Sequence, residues 1–540
     1  MLLKGTVIVS TLTLLSRILG FIRDLLVARI LGASWLADAF LVGFRVPNLL
    51  RSFVAEGALT SAFIPVFTGA LKEGEQASKE ALGSIAKFLL LTTLVLSLVG
   101  ILFAPHIVTA LAPGFLHGSD PTQERFATCV YLTRIMMPYI IFVSFIAMAN
   151  AALNAKGVFG ASAWAQVVMN LVLIIGGIIA SYFSPQAATE VLAWSVLAGG
   201  VAQLLSQIPA CSKAALSLLP AGLLFSKAVR DLITLMIPAI LGASVYQLSI
   251  FLGTLLASLL GEGSVSWLFF ADRVAQFPLG IFSIALASVL LPTLAKASAD
   301  SDKAGFSNSL AISVRYTTFV IVPMSVGIWG LALPVVQLLF ERGAFSYHSS
   351  LMTSLALQAL SLGLWAVSFH SMVVRAFIAR KDTVTPTIVG VVTLLSNFIL
   401  SLLFMGSLPH SHEGLAAGIS AIQRVLHENI GLHLELGHIG IALASSISSF
   451  VSLATLLYFY HRRIGAFPTA EVVPTMIRTA AAAVAMIWVL NSTLSLFSSP
   501  FASLLTAASL GSAAYLFVHL ALGSREVTEI RMLLVKKLAK

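Results

Sequence analysis

Apolar runs of about twenty residues, long enough to cross a bilayer hydrocarbon core, recur from one end of this chain to the other, and no polar segment is long enough to form a soluble domain beside them. That repetition excludes most folds at once. Of the 540 residues, 58% are apolar and only 10% charged, where an average soluble chain is about 25% charged. The mean hydropathy is +0.98. The chain therefore reads as an all-α polytopic membrane protein, because only helices whose backbone bonds close within the segment, or closed barrels, satisfy their polar groups in lipid. Fourteen spans are expected, the first read as a retained helix because Arg17 interrupts the apolar run after Lys4 and no small-residue cleavage motif follows.

Charge supports that count. With the N-terminus placed in the cytoplasm, the segments assigned inside carry twenty-one Lys and Arg, among them Lys87, Lys156, Lys213, Lys227, Arg230 and Arg315. The outside segments carry three, Arg125, Arg342 and Arg424. Such an asymmetry predicts both termini in the cytoplasm. It also accounts for the net charge of +10 through loops facing anionic lipid, so nucleic acid is not needed as a partner. Cys129 and Cys211 fall on opposite sides, and no disulfide between them is expected.

The chain also repeats itself. "LLVARILGAS" (25–34) resembles "TLLASLLGEG" (254–263), and "ALTSAFIPVF" (58–67) resembles "ALASVLLPTL" (285–294). "NAKGVFGA" (154–161) sits where "ARKDTVTP" (379–386) sits, each a short basic inner loop. The offsets are 229, 227 and 225, in order along the chain. The predicted organisation is a first six-helix bundle over 1–227 and a second over 228–465 carrying an outer insertion at 409–438. Two further helices and a basic tail fill 466–540. Six spans return the chain to its starting side, so the bundles run parallel, the arrangement of transporters that rock two halves about a central site.

Charges inside the spans point to what such a site would hold. "SRILGFIRDLLVAR" (16–29) carries Arg17, Arg23, Asp24 and Arg29, although a charge at mid-bilayer costs about 2.5–3.5 kcal/mol on insertion scales. Arg45, Arg51, Arg134, Arg273 and Arg375 bring the basic residues within or bordering spans to eight, against four acids, Asp24, Asp38, Glu56 and Asp272. Pairing and snorkelling account for Arg29, Arg134 and Arg375. Arg17 and Asp24 share a helix face, as do Ser266, Arg273 and Gly280, with Gln276 beside Arg273, and the repeat offset sends Arg45 to within one residue of Arg273. A cationic cavity with apolar walls suits a polyanion, and the guanidinium fork suits phosphate.

These are also the residues that carry a resemblance. "SRILGFIRD", "ADAFLVGFRVPNLLRSFVAEGALTSAFIPVF" (37–67) and "GSVSWLFFADR" (263–273) resemble the MviN/MurJ lipid II flippases, within the multidrug/oligosaccharidyl-lipid/polysaccharide exporter superfamily. The resemblance extends over essentially the whole chain. It implies fourteen helices in a bacterial cytoplasmic membrane and a cationic cavity formed by spans one, two, seven and eight. It implies passage of lipid II, the undecaprenyl-diphosphate-linked peptidoglycan precursor, from inner to outer leaflet, and a groove for the lipid tail at the last two spans. Substrate-binding roles carry over to Arg17, Arg23, Arg51 and Arg273, and further to Asp38, Arg45, Glu56, Ser266 and Asp272. Lipid II and membrane lipids are the implied partners, with other cell-wall synthesis proteins beside a monomeric chain. Gln276 stands where relatives can carry a glutamate, and Asn397 and Ser401 offer no acid for a sodium site with Asp231.

No motif for phosphate-loop, zinc-protease or glycosyl-transfer chemistry is present, so neither enzymatic activity nor a cofactor is expected. The alternatives are an exporter of another polyprenyl-linked saccharide, a drug/ion antiporter of the same superfamily, or an enzyme acting on lipid diphosphates. Within 409–440, His410, His412, His427, His433 and His438 accompany Glu413, Glu428 and Glu435, a composition open to zinc or to titration. Leu415, Ile419, Ile422, Leu426 and Ile430 recur at helical spacing, and an amphipathic helix on the outer interface is the preferred reading, with Arg424, His427 and Glu428 on its polar side.

Overall fold

A computed structural model of the chain describes residues 2–54, 58–116, 122–408, 414–431, 434–494 and 500–538. Their regular structure is helical, with no strand among them beyond an isolated bridge between Met405 and Glu435. Helices α1 to α9 run Leu2–Leu31, Trp35–Val54, Ala58–Glu73, Glu75–Leu102, Ala104–Leu111, Thr122–Met136, Tyr139–Ala155, Gly160–Ala180 and Pro185–Lys213. Helices α10 to α17 run Lys227–Ser258, Ser264–Pro278, Ile284–Ala299, Lys303–Gly330, Ala332–Phe340, Tyr347–Ser361, Leu364–Ala379 and Val384–Phe404. Then come α18 (Gly414–Ile430), α19 (His438–Arg463), α20 (Thr469–Thr493), α21 (Pro500–Ala521) and α22 (Arg525–Leu538). Ten continuous or gently bent stretches among the described residues are long and apolar enough to cross a membrane, or eleven if α15 and α16, bent by 41°, form one span. The fourteen expected spans would need α1, α2 and α10 in addition; the first two carry the charges noted above.

The helix lengths repeat in tandem. From α3 to α8 they are 16, 28, 8, 15, 17 and 21 residues. From α12 to α17 they are 16, 28, 9, 15, 16 and 21. Both series are preceded by a helix of 30 or more residues, α1 and α10, and the first member of each contains a proline, Pro65 or Pro292. Helix α18 interrupts the second series before α19.

By their contacts the residues fall into two compact units, one of Met1–Ser266, Arg342–Ser346 and Pro409–Ser420, the other of Trp267–Glu341, Tyr347–Leu408 and Ala421–Lys540. In the first, α1 packs on α8, α8 on α9, α2 on α6 and α3 on α10. Small residues let these backbones close up, as they do between helices in lipid. A Cβ at Gly176 of α8 would fall on the Ser195 side chain of α9, and one at Gly199 would lie 2.5 Å from Met169 Sδ. Cys129 and Cys211 are both buried and free.

In the second unit α17 meets α19 through a polar seam. Thr393 donates to Ser452 (2.7 Å), and the Asn397 amide donates to Ser445 (2.9 Å) and Ser448 (3.3 Å). The core of α13, α20 and α21 is built from Phe319, Leu331, Met486, Leu490 and Tyr515. Arg315, read from the sequence as an inner-loop residue, is instead buried in α13, because Glu526 of α22 supplies it with a charged partner 2.7 Å away. Thr475 (2.7 Å) and Ser524 (2.6 Å) also donate to Glu526, and the Tyr316 hydroxyl donates to Glu529 (2.5 Å). Burial alone pushes the Glu526 carboxyl up. Hydrogen bonds from Ser524, Thr475, its own backbone and Arg315 outweigh that and bring it down to about 2, from an ordinary 4.5. A lowered folded-state value means that the lock is fully present above pH 4.5 and is lost as pH falls toward 2. Hydrogen exchange is therefore expected to show α22 losing protection across that window before α20 does, and Glu526→Gln is expected to weaken α22 already at neutral pH.

The helix expected over this stretch is present as α18, but His427, expected on its polar side with Arg424 and Glu428, is buried while those two are exposed. Ala416, Ile419, Gln423 and His427 are buried, while Leu415, Ile422, Val425 and Ile430 are exposed. The reason is Gln423, which accepts from Leu408 N–H (3.0 Å) and donates to the carbonyls of Leu402 (2.9 Å) and Gly406 (2.7 Å). Those backbone groups at the end of α17 need partners once buried. One amide side chain serves them, so its face turns inward, taking His427 one turn later with it. Among the described residues no cluster of His, Cys, Asp and Glu could hold a metal ion. His410, His412, Glu413 and His433 lie outside the described residues.

Candidate functional site

The start of α2 and the start of α11 close on each other. A helix N-terminus leaves backbone N–H groups without partners. At α2, Ser34 covers Ala37 N–H (3.3 Å) and Glu262 accepts from Trp35 N–H (2.9 Å). At α11 the cap comes from α2. Asp38 accepts from Gly263 N–H (2.8 Å), from Ser266 N–H (2.8 Å) and from the Ser266 hydroxyl (2.6 Å). Its second oxygen also takes Arg125 (2.9 Å), whose guanidinium lies 3.6 Å from the centre of the Phe115 ring. Asp38 and Ser266 are both 0% exposed. The carboxylate suits this place because it sits in the first turn of its own helix and against the first turn of another, where both dipoles favour negative charge. Arg125, read as an outer-loop residue, is thus buried on α6; Asp38 provides the counter-charge that lets it leave water.

The end of α1 is closed in a similar way. Its last carbonyls need donors, and Ala344 N–H donates to the Arg29 carbonyl (2.9 Å). Gly32, at φ 64°, ends the helix in the left-handed conformation, and a Cβ there would overlap the Ala344 carbonyl. Gly343, at φ 63°, approaches Arg29 as closely. The segment Arg342–Ser346 therefore closes α1 through backbone contacts at which only glycine fits.

The arginines separate into two groups. Arg23 is tied down: it donates to Asp24 (2.8 and 2.9 Å) and to the Asn170 side chain (3.2 Å), which in turn donates to the Ser16 carbonyl (2.9 Å). Arg45 bonds Thr254 and the Ile250 carbonyl (3.5 Å), fastening α2 to α10. Arg17 is exposed on α1, and Arg51, half-buried in the last turn of α2, donates to Asn48 (3.1 Å). In the second unit, Arg273 is half-buried with its guanidinium 4.7 Å from the Phe269 ring centre, and the Gln276 amide donates to Asp272. The structure thus brings Asp38 and Ser266 together, Arg23 and Asp24 together, and Asp272 and Gln276 together. Glu56 lies outside the described residues. Sequence reasoning missed Arg125, Gly263, Glu262, Asn170 and Thr254. Asn170 alone left a signal, as a polar residue inside the apolar run "VVMNLVLII".

Known proteins show the same fold. A multidrug transporter described as an inward-facing MATE of the MOP superfamily matches 85% of this chain and 98% of its own, with a TM-score of 0.63 at 15% identity. A structure described as lipid II flippase MurJ in an inward closed conformation matches 97% of this chain and all of its own, with a TM-score of 0.78 at 25% identity. The helical architecture is the one these two membrane transporters share. The family model for lipid II flippase MurJ matches residues 27–428. The probable lipid II flippase MurJ of Vibrio cholerae is 34% identical over 441 residues, 80% of this chain and 83% of the relative. That of Burkholderia cenocepacia, called lipid II flippase MurJ, is 35% identical over 442 residues, 80% and 84% of the two chains. The chain belongs to the MurJ family of lipid II flippases.

Proposed function

We propose that this chain carries lipid II from the inner to the outer leaflet of the bacterial cytoplasmic membrane by alternating access, with both termini cytoplasmic. Kinship along most of its length with lipid II flippases carries the reading. Two parallel six-span bundles are the moving parts, supported by the tandem series of helix lengths, and α20 and α21 stand outside that repeat as the place for the lipid tail. Arg17, Arg51 and Arg273 receive the diphosphate of the substrate. Arg23 and Arg45 hold α1 to α8 and α2 to α10 and add positive potential, which acts over long range where water is excluded. Asp38, Ser266 and Arg125, with the seal at Gly32 and Gly343, keep the outer side closed, and opening must break these bonds. The chain works on its lipid without chemical change, as a monomer without a cofactor, among membrane lipids and other cell-wall synthesis proteins.

Replacement of the resident lipid II flippase in a bacterium tests this. Cells depleted of their own protein are expected to keep their shape and divide when this chain is expressed. Lysis despite membrane-inserted protein would count against it.

A further inference from the structure

We infer that the segment between α9 and α10, residues 214–226, is a docking surface for anionic phospholipid headgroups of the inner leaflet, an assignment that rests on the orientation proposed above. The backbone of this segment is firmly seated. Ala221 N–H donates to the Gly83 carbonyl of α4 (3.0 Å), and Lys87 donates to the Gly222 carbonyl (3.2 Å). Lys156, from the connection between α7 and α8, donates to the Ala214 carbonyl (2.5 Å). Gly222, at φ 71°, lies against Ser84, where a Cβ would come within 2.8 Å of its hydroxyl. Leu216 is buried beneath.

Seated in this way, the segment turns its largest apolar side chains outward. Leu219 is 75% exposed, Leu223 77% and Phe225 66%. Exposed apolar residues on the long helices face hydrocarbon, but these stand on irregular backbone, whose polar groups bar it from the lipid-facing hydrocarbon region. The headgroup–acyl boundary is the place where such a segment can bury apolar side chains while its backbone stays solvated. Charge supplies the second observation. Exposed Lys213, Lys227 and Arg230 flank the segment on the ends of α9 and α10. Nearby acids include Asp231 on α10, which is exposed, Glu80 on α4, which accepts from Gln76, and Glu75 on α4, which pairs with Lys79. Apolar prongs bordered by basic residues fit an anionic lipid surface, to which each Lys or Arg adds attraction.

The test uses full-length protein with Leu223→Cys carrying an environment-sensitive dye; both native cysteines are buried, which directs the label. Vesicles are phosphatidylcholine with or without phosphatidylglycerol, containing lipids brominated near the head of the acyl chain. Phosphatidylglycerol is expected to shift the emission to the blue and raise quenching several-fold. Lys213→Glu, Lys227→Glu and Arg230→Glu together are expected to abolish that difference in protein of unchanged helix content. Water-like emission in both vesicles, or quenching indifferent to phosphatidylglycerol, would overturn the assignment, as would a blue shift that appears only when membrane-extract proteins are added. Modification of Leu223→Cys by an impermeant thiol reagent outside intact cells would overturn the orientation instead.

Discussion

Arg273→Ala is expected to slow lipid II translocation about ten- to hundredfold while leaving the amount of folded protein nearly unchanged. A hydrogen bond to a charged group contributes about 1.5–3 kcal/mol, and every ~1.4 kcal/mol is tenfold. Arg273 sits half-buried on α11 with its guanidinium over Phe269, 4.7 Å from the ring centre. The ring attracts the cation by its quadrupole, and in the role proposed above the guanidinium meets the diphosphate of the substrate. Alanine removes charge and fork together. Lysine restores the charge as a point and loses the planar fork, so Arg273→Lys is expected to recover only part of the rate. Initial rates in vesicles, normalised to monodisperse protein, measure this; wild-type rates for the alanine variant would show the charge to be dispensable.

Asp38→Ala is expected to produce the largest loss of stability of any single change at the α2–α11 junction. Four hydrogen bonds end on this carboxylate, two from the start of α11, and it is closed to solvent. Removing one partner of a buried ion pair strands the other, a cost of about 3–5 kcal/mol. Here the stranded group is Arg125, stacked on Phe115 with its path to water closed. Glu262→Ala, which removes a single bond to Trp35 N–H from an exposed side chain, should cost about 1 kcal/mol, as ordinary caps do. Arg125→Met added to Asp38→Ala should recover part of the loss, because no charge is then left buried. The thermal midpoint of the detergent-solubilised protein gives the ranking. Equal midpoints for Asp38→Ala and the parent would remove Asp38 from the junction.

The sequence carried the fold in two kinds of pattern. Apolar runs and their charge-flanked ends marked the helices, because in lipid a hydrophobic segment has few ways to bury its backbone. Weak matches such as "ALTSAFIPVF" with "ALASVLLPTL" announced a repetition that reappears in the helix lengths, α3 and α12 each being 16 residues around a proline. What could not be read was pairing at a distance. Asp38 and Arg125 stand 87 positions apart, and Arg315 and Glu526 stand 211 apart. Nothing local marks such partners, and the charges between predicted spans placed both arginines in loops. On α18 one residue differs for a related reason. His427, expected on the polar side with Arg424 and Glu428, is buried because the unmet backbone groups at the end of α17 drew Gln423, one turn earlier, inward. Hydrogen-bond demand from another element is invisible to periodicity. The candidate site was legible as a set of residue types, arginines on the first two helices and on α11; which of them fasten helices, as Arg23 and Arg45 do, required the packing.

Purified protein in vesicles loaded with head-labelled lipid II tests the central reading most directly. The label is expected to move between leaflets chemically unchanged, at a rate proportional to the protein present, and to do so far more slowly with Arg273→Ala. Label that stays in its leaflet with well-folded protein, or that is recovered cleaved or transferred, would contradict it.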